Sequence, residues 1–295
     1  NHGGVRVRMR EAILKNKVLR HDARTEEAQE TAAIVWQADE RLYRTMKTLA
    51  ADNDIVLLQE THLRRKDAEL RVELEAMLTT GEFAGWHVAE SPAEEGDDYA
   101  GALVWWNGET VQMSDVREAV PGRMQIMRVR ARTDGTRMIL ANVYVPPRKG
   151  SMSDAERQRL KAVRTQMQAV ADEAQKAGSE LAVAGDLQAQ TARALNVSKA
   201  TGNEYDAWLE EYAMGNNMRS AGEVDDTYIA GEGGPRTAID HFMLSAGMYE
   251  RAEAEVGAGA DGLHTGVEGE GDGCATGQAT KGHNSLQLRL QLATA

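Results

Sequence analysis

The segment Asp54-Ile55-Val56-Leu57-Leu58-Gln59-Glu60-Thr61-His62 runs a short aliphatic block directly into polar groups. A block too short for a globular helix and lacking polar alternation is the pattern of a strand buried on both faces. Such a strand needs other elements packed over each face, which commits the chain to a layered α/β architecture. The residue beyond its C-terminal end, Glu60, stands where open α/β sheets place chemistry. The alternative for the segment taken alone is a surface acid following a core strand.

The same grammar recurs along the chain. Residues 1–30 read as a basic, then Glu-rich leader outside the fold. A short strand is predicted at 32–36, and a helix at 40–51 with Leu42, Met46 and Leu49 on one face. A second helix follows at 66–78. Short strands are expected at 86–89, 102–106, 110–113, 124–131 and 137–144, the last two joined by Asp134-Gly135, a strong hairpin signal. A long helix at 153–176 opens with a capping box, Ser153 and Glu156. A buried strand at 180–184 delivers Gly185-Asp186, and further strands are expected at 238–245 and 285–292. The stretch 257–277 is glycine-rich with almost no apolar content, the composition of a mobile loop or an insertion that orders on binding. The reading is one domain over 31–295, interrupted at about 257–277.

Composition excludes some classes. With 295 residues and 42% hydrophobic content the chain can bury a sizeable core. No apolar run reaches eighteen residues, so no membrane insertion is expected. A single cysteine, Cys274, leaves neither a disulfide framework nor a thiolate cluster and suits an intracellular, reducing compartment, whether nucleus, cytosol or organelle. The chain opens on Asn1 rather than Met, as a processed or incomplete chain would, with room for an upstream targeting segment. A formal net charge of −12 argues against a broadly basic grip on nucleic acid. The leader departs from that balance, with Arg6, Arg8, Arg10, Lys15, Lys17 and Arg20 against Glu11 alone over residues 5–20. It is either an arm for phosphates or an acidic partner, or a solvated face.

Polar side chains end several of the strand blocks, Gln37 and Asp39, Glu60, Tyr144, and Asp186 with Gln188, while Asp240 lies within a later strand and His283 just before the last. Dispersed carboxylates gathered by strand ends are how a fold builds a site for Mg²⁺, which takes oxygen ligands and keeps several waters. Phosphodiester cleavage calls for such an ion against developing charge, an acid to position a water, and a cation or histidine on the nonbridging oxygens. The plainer readings stand beside these. Tyr144 could pack on Pro146, and Asp39 could cap the helix at 40–51. His62, His87, His241 and His264 read as surface or internally bonded groups. Trp36, Trp105 and Trp106 read as core or sheet-face aromatics, of which an exposed one would stack a base.

Taken in order, these motifs resemble the endonuclease/exonuclease/phosphatase superfamily over about residues 32–292. The run Leu58-Gln59-Glu60-Thr61-His62-Leu63 looks like the apurinic-endonuclease-like domain of non-LTR retrotransposons. Trp36-Gln37-Ala38-Asp39 stands in place of the family's Trp-Asn-x-Asp/Asn. Asn142-Val143-Tyr144-Val145-Pro146-Pro147 matches its tyrosine motif and Gly185-Asp186-Leu187-Gln188 its Gly-Asp-x-Asn. Ala238-Ile239-Asp240-His241 corresponds to Arg-Ile-Asp-Tyr, and Lys281-Gly282-His283 to the terminal Ser-Asp-His. The resemblance implies a four-layered α/β sandwich: two mostly antiparallel sheets face to face, helices outside. It implies Mg²⁺ held by Glu60 with Asp39 in support, water positioned by Asp186, and phosphate contacts from Tyr144, Gln188 and His283, with Asp240 in the same catalytic set.

Three departures bear on activity. Gln37 and Gln188 each replace an Asn and move the amide by about a bond length, where such sites tolerate ~0.5 Å. Gly282 replaces the aspartate that orients the adjacent histidine, a contact typically worth ~10–100-fold. Two functions are therefore expected. The first is a domain derived from a Mg²⁺-dependent nuclease, catalytically impaired and serving as a structural or adaptor subunit among protein partners. The second is an active endonuclease that takes DNA or RNA through its cleft or leader. A phosphatase on inositol phosphates or lipids fits the same superfamily and ranks last.

Overall fold

A computed structural model of the chain describes residues 40–97, 100–147, 152–189, 204–221, 228–229, 236–237, 239–257, 282–283 and 285–290. The leader, the strand expected at 32–36 with Gln37 and Asp39 behind it, and residues 258–277 lie outside them. Helix α1 (Glu40–Asp52) leads into β1 (Ile55–Leu58), α2 (Ala68–Thr79) and a short 3-10 turn. Five strands follow: β2 (Trp86–Ser91), β3 (Ala102–Asn107), β4 (Val111–Val120), β5 (Met124–Ala131) and β6 (Arg137–Tyr144). Next come α3 (Asp154–Ala177), β7 (Glu180–Asp186), α4 (Glu204–Gly215) and β8 (Met218–Ser220). The described remainder is β9 (Tyr228–Ile229), β10 (Arg236–Thr237), β11 (Asp240–Ser245), α5 (Ala246–Tyr249), β12 (Ala252–Gly257), β13 (Gly282–His283) and β14 (Ser285–Leu290).

Two sheets dominate, one of three strands in the order β1-β3-β2 and one of six in the order β4-β5-β6-β7-β11-β8. Every pairing in them is antiparallel except β6 with β7, and that parallel step is spanned by α3, as a parallel connection requires. Two smaller sheets have the orders β10-β9-β13 and β12-β14.

The burial pattern sorts the elements into four layers. One apolar cluster joins Met46, Leu70, Leu74 and Leu78 of α1 and α2 to Val56, Leu103 and Trp105 of the small sheet. A second holds Val104, Met127, Leu140, Ala182, Ala184 and Leu244, with Ile55 and Leu57 packed against it, between the two sheets. The third sets Val163, Met167, Leu209 and Tyr212 of α3 and α4 against Ile139, Ala141, Val143, Leu181 and Val183. Period-two alternation explains the assignment, since Ile139, Ala141 and Val143 face α3 while Leu140 faces the other sheet. The architecture is the four-layered α/β sandwich the sequence implies.

Local chemistry accounts for the boundaries. The Ser153 hydroxyl accepts from the Glu156 N–H at 3.2 Å, the Glu156 carboxylate accepts from the Ser153 N–H at 2.8 Å, and Gly178 ends α3 in the left-handed conformation. At the hairpin, the Asp134 side chain accepts from the Thr136 N–H at 2.9 Å, and Gly135 has φ +77°. Strand β4 runs seven residues beyond the 110–113 expectation, because Asp115, Arg117 and Glu118 read as turn residues in sequence. They lie instead on a bulged edge strand, where Arg117 bonds Glu173 of α3 at 2.6 Å; charge and bulges are how edges avoid further pairing.

A buried amide network ties the sheets together. Gln59, just past β1, donates to the Asn142 side-chain oxygen at 2.6 Å. The Asn142 amide donates to the Leu103 carbonyl and to Gln125, both at 3.2 Å, and Gln125 donates to the Ala89 carbonyl at 3.0 Å. Asn142→Leu keeps the volume and strands these partners inside the sandwich. We expect a loss of about 2–4 kcal/mol in urea unfolding; a loss under about 0.5 kcal/mol would show that the network does not dock the sheets.

Candidate functional site

Alternation carries chemistry to the space between the sheets. On β6, Leu140, Asn142 and Tyr144 share the inter-sheet face; on β7, Ala182, Ala184 and Asp186 do so; on β11, Leu244, Phe242 and Asp240 follow the same parity. The register aligns their ends. Tyr144 is opposite Asp186 in the parallel pair, and Asp240 is opposite Asp186 in the antiparallel one. Three polar residues thus stand side by side at one end of the large sheet.

Glu60 joins them through a break in alternation. Val56 and Leu58 belong with the helices outside the small sheet, and two more residues of regular strand would send Glu60 the same way. Its backbone is left-handed instead, φ +51°, and its carboxylate accepts a hydrogen bond from the Tyr144 hydroxyl across the sandwich. The turned segment is pinned by Thr61 N–H on the Gly101 carbonyl and His62 N–H on the Ala100 carbonyl, each at 3.0 Å. Gly101 is obligatory there, since a Cβ would overlap the Thr61 hydroxyl and its φ is +112°.

The β7 end has its own exception. Gly185 has φ +136°, and a Cβ on it would run into the Val143 carbonyl, so only glycine lets β7 close on β6 before Asp186. Asp186 is 2% exposed. Its carboxylate accepts from the Gln188 backbone N–H at 3.0 Å and from the Gln188 side-chain amide at 2.7 Å. Gln188 sits at φ +53°.

Tyr144 is fully buried, and its phenol is pushed well above the ordinary range, first by burial and then by the negative charges of Glu60 and Asp186; the positive Arg123 opposes this. Arg123, in the turn between β4 and β5, is 3% exposed and stacks over the Tyr144 ring at 4.4 Å. Sequence reasoning missed it. A charged residue after Pro121-Gly122 reads as a surface turn, and Asp97, which binds its Nε at 2.9 Å, lies in an acidic stretch that reads the same way.

The structure therefore brings Glu60, Tyr144, Asp186, Gln188 and Asp240 together. Asp39 lies outside the described residues. For His283, only backbone pairing is described: Gly282 opposite Ile229 and His283 opposite Tyr228. Trp105 is a core residue, donating to the Leu78 carbonyl at 2.8 Å, and Trp106 stacks on His87 between neighbouring strands. His241 is an internally bonded group, with the Ala189 carbonyl at 2.7 Å and Ser220 at 3.2 Å.

Among the described residues, no three His, Cys, Asp or Glu side chains cluster closely enough to hold a metal. Mg²⁺ is ordinarily held by one or two carboxylates with waters and substrate phosphate completing the shell. The hard oxygen donors of Glu60 and its neighbours fit that pattern in kind. No described helix is long and apolar enough to cross a membrane.

Two stacked sheets between outer helices, with acids and a tyrosine gathered at one end, define a four-layered α/β sandwich. No protein-family model matches the chain, and no curated protein matches it in sequence. Solved structures do match. The AP endonuclease LMAP from Leishmania major aligns at 16% identity and TM-score 0.63, over 86% of this chain and 84% of that one. The 3'-5' exonuclease NExo from Neisseria meningitidis aligns at 17% identity and TM-score 0.59, over 86% and 96%. The endonuclease domain of TRAS1, a telomere-specific non-LTR retrotransposon, aligns at 14% and 0.54, over 85% and 93%. The chain shares its fold with these proteins and with an endonuclease/exonuclease/phosphatase from Bacteroides vulgatus at 13% identity and TM-score 0.53, over 85% and 91%.

The buried phenol gives a pH signature. A group whose folded pKa is raised contributes stability that is present below its unfolded value and lost as pH rises through its folded value. For Tyr144 the loss begins near pH ~10. Wild-type protein should lose stability from about pH 10 to pH 11 in urea unfolding. Tyr144→Phe, which cannot ionise, should lose less across the same interval, and equal losses would refute the assignment.

Proposed function

We propose that the chain is a Mg²⁺-dependent phosphodiesterase acting on nucleic acid, with catalysis weakened relative to its relatives in fold. What supports this is the convergence of Glu60, Tyr144, Asp186 and Asp240 between the sheets. Backbone strain points the same way. Five described non-glycine residues have positive φ: His62, Asp115 and Asn217 are of types enriched there, whereas Glu60 and Gln188 are not, and these two lie in the two site segments. Strain of ~1–3 kcal/mol per residue persists where the surroundings enforce it, characteristically at functional sites.

In this reading Glu60, with Asp39, would hold Mg²⁺, which when bound supplies positive charge against the developing phosphoryl charge. Asp186 orients the attacking water and draws its proton. Tyr144 and Gln188 contact nonbridging oxygens, His283 serves the same phosphate, and Asp240 flanks Asp186. The weakening follows from Gln188. Its backbone N–H and its side-chain amide both bond the Asp186 carboxylate, so the amide must leave that partner before it can meet a phosphate oxygen. Gly282 adds to this by leaving the neighbouring histidine without an aspartate on that position.

A second reading, a domain that has lost catalysis and serves as an adaptor among protein partners, draws support from the same two departures and from the −12 net charge. Supercoiled DNA and a structured RNA in millimolar Mg²⁺ separate the two. The hydrolase reading expects slow nicking that vanishes in Glu60→Ala and rises about 10–100-fold in Gln188→Asn combined with Gly282→Asp. If neither wild type nor the double variant cleaves either substrate above Glu60→Ala, the adaptor reading stands instead.

A further inference from the structure

The geometry points to Arg123 as a positioning residue: anchored by Asp97, it fixes the Tyr144 ring so that the hydroxyl reaches Glu60. The inference rests on the hydrolase reading for its catalytic consequence and on geometry alone for its structural one.

Arg123 grips Tyr144 twice. Its carbonyl accepts the Tyr144 N–H at 2.8 Å, and its guanidinium lies over the ring at 4.4 Å, within cation–π range. The guanidinium is itself held along its edge. Nε bonds one Asp97 oxygen at 2.9 Å and Nη2 the other at 2.5 Å, the planar two-point fork that lysine cannot make. Asp97 is 6% exposed and takes a second cation, Arg159 of α3, at 3.4 Å, so the anchor is braced by the helix layer.

The alternative is an ion pair that merely stabilises the fold. Two observations favour positioning. Buried ion pairs commonly contribute little net stability compared with well-packed apolar groups, so stability alone is a weak reason to bury one. The pair is also incompletely satisfied, since buried Nη1 of Arg123 has no hydrogen-bond partner among the described residues. What the cation does cover is the face of the tyrosine whose hydroxyl reaches Glu60. Removing it would free the ring to tilt within the cleft, and a site of this kind loses function when its groups move by ~0.5 Å.

The test separates position from activity. Protein grown with 3-fluorotyrosine gives a fluorine resonance for residue 144, assigned by its absence from Tyr144→Phe. We expect one narrow line in wild type, a displaced and broadened line in Arg123→Met and in Asp97→Asn, and partial return in Arg123→Lys, which keeps the charge without the fork. An unchanged line in a folded Arg123→Met would overturn the proposal. Should that variant not fold, Arg123→Lys carries the same readout, and a line identical to wild type would overturn it equally. In the nicking assay, Arg123→Met should lower kcat about 10–100-fold with KM within about twofold, and Arg123→Lys should fall between. Unchanged kcat alongside a Tyr144→Phe that is impaired would also overturn it. If wild type does not cleave above Glu60→Ala, the hydrolase reading fails while the fluorine spectra still decide whether Arg123 positions the ring.

Discussion

The Asn142 side chain is the point on which the site depends. It is fully buried between the sheets, and its amide reaches Gln59 on one side and Gln125 and the Leu103 carbonyl on others. A buried amide has strict partners, and each one it lacks costs about 1–3 kcal/mol. Apolar packing alone would let two sheets slide by a fraction of a residue. A directional network does not, and it fixes Gln59, which fixes the residue after it.

From that point the contacts close into a ring. Thr61 bonds the Gly101 carbonyl, the Gly101 N–H bonds the Gly122 carbonyl at 2.9 Å, and Arg123, next in sequence, accepts from the Tyr144 N–H. The Tyr144 hydroxyl then returns to Glu60. Gly122 belongs to this circuit for steric reasons, since a Cβ there would press on the Ala93 backbone. The left-handed residues Glu60 and Gln188 are tolerable because their neighbours are held from several sides at once.

How much of this was legible in sequence differs by residue. The capping box at Ser153, the hairpin at Asp134-Gly135, the buried blocks at β1 and β7 and the short strands at β5 and β6 could be read because their signals are local. The charged half of β4 could not, because an edge strand facing solvent and α3 carries the composition of a turn. Helix α4 was missed because its apolar residues, Tyr205, Leu209 and Tyr212 among them, are buried on one side only and interrupted by acids. Strand β12 was missed for a different reason: alternating Ala and Glu has little β-propensity, and its pairing with β14 is a tertiary fact. Of the residues gathered between the sheets, Glu60, Tyr144 and Asp186 read in sequence as strand-end polar groups and Asp240 as a polar residue within a strand. Nothing local announced Arg123 and Asp97, whose importance lies in what they touch.

The parallel step between β6 and β7 has a consequence for how the molecule comes into being. Glu60 and Tyr144 are 84 residues apart in sequence, and Tyr144 meets Asp186 only after the chain has made all of α3 and returned. Contacts this distant are slow to form, because the loop between them must be closed before either partner gains anything. A chain emerging from synthesis therefore carries β6 as an open edge, and the acids stay scattered until β7 docks. The site cannot be complete before β7 has docked, so its assembly reports that both sheets have found their register.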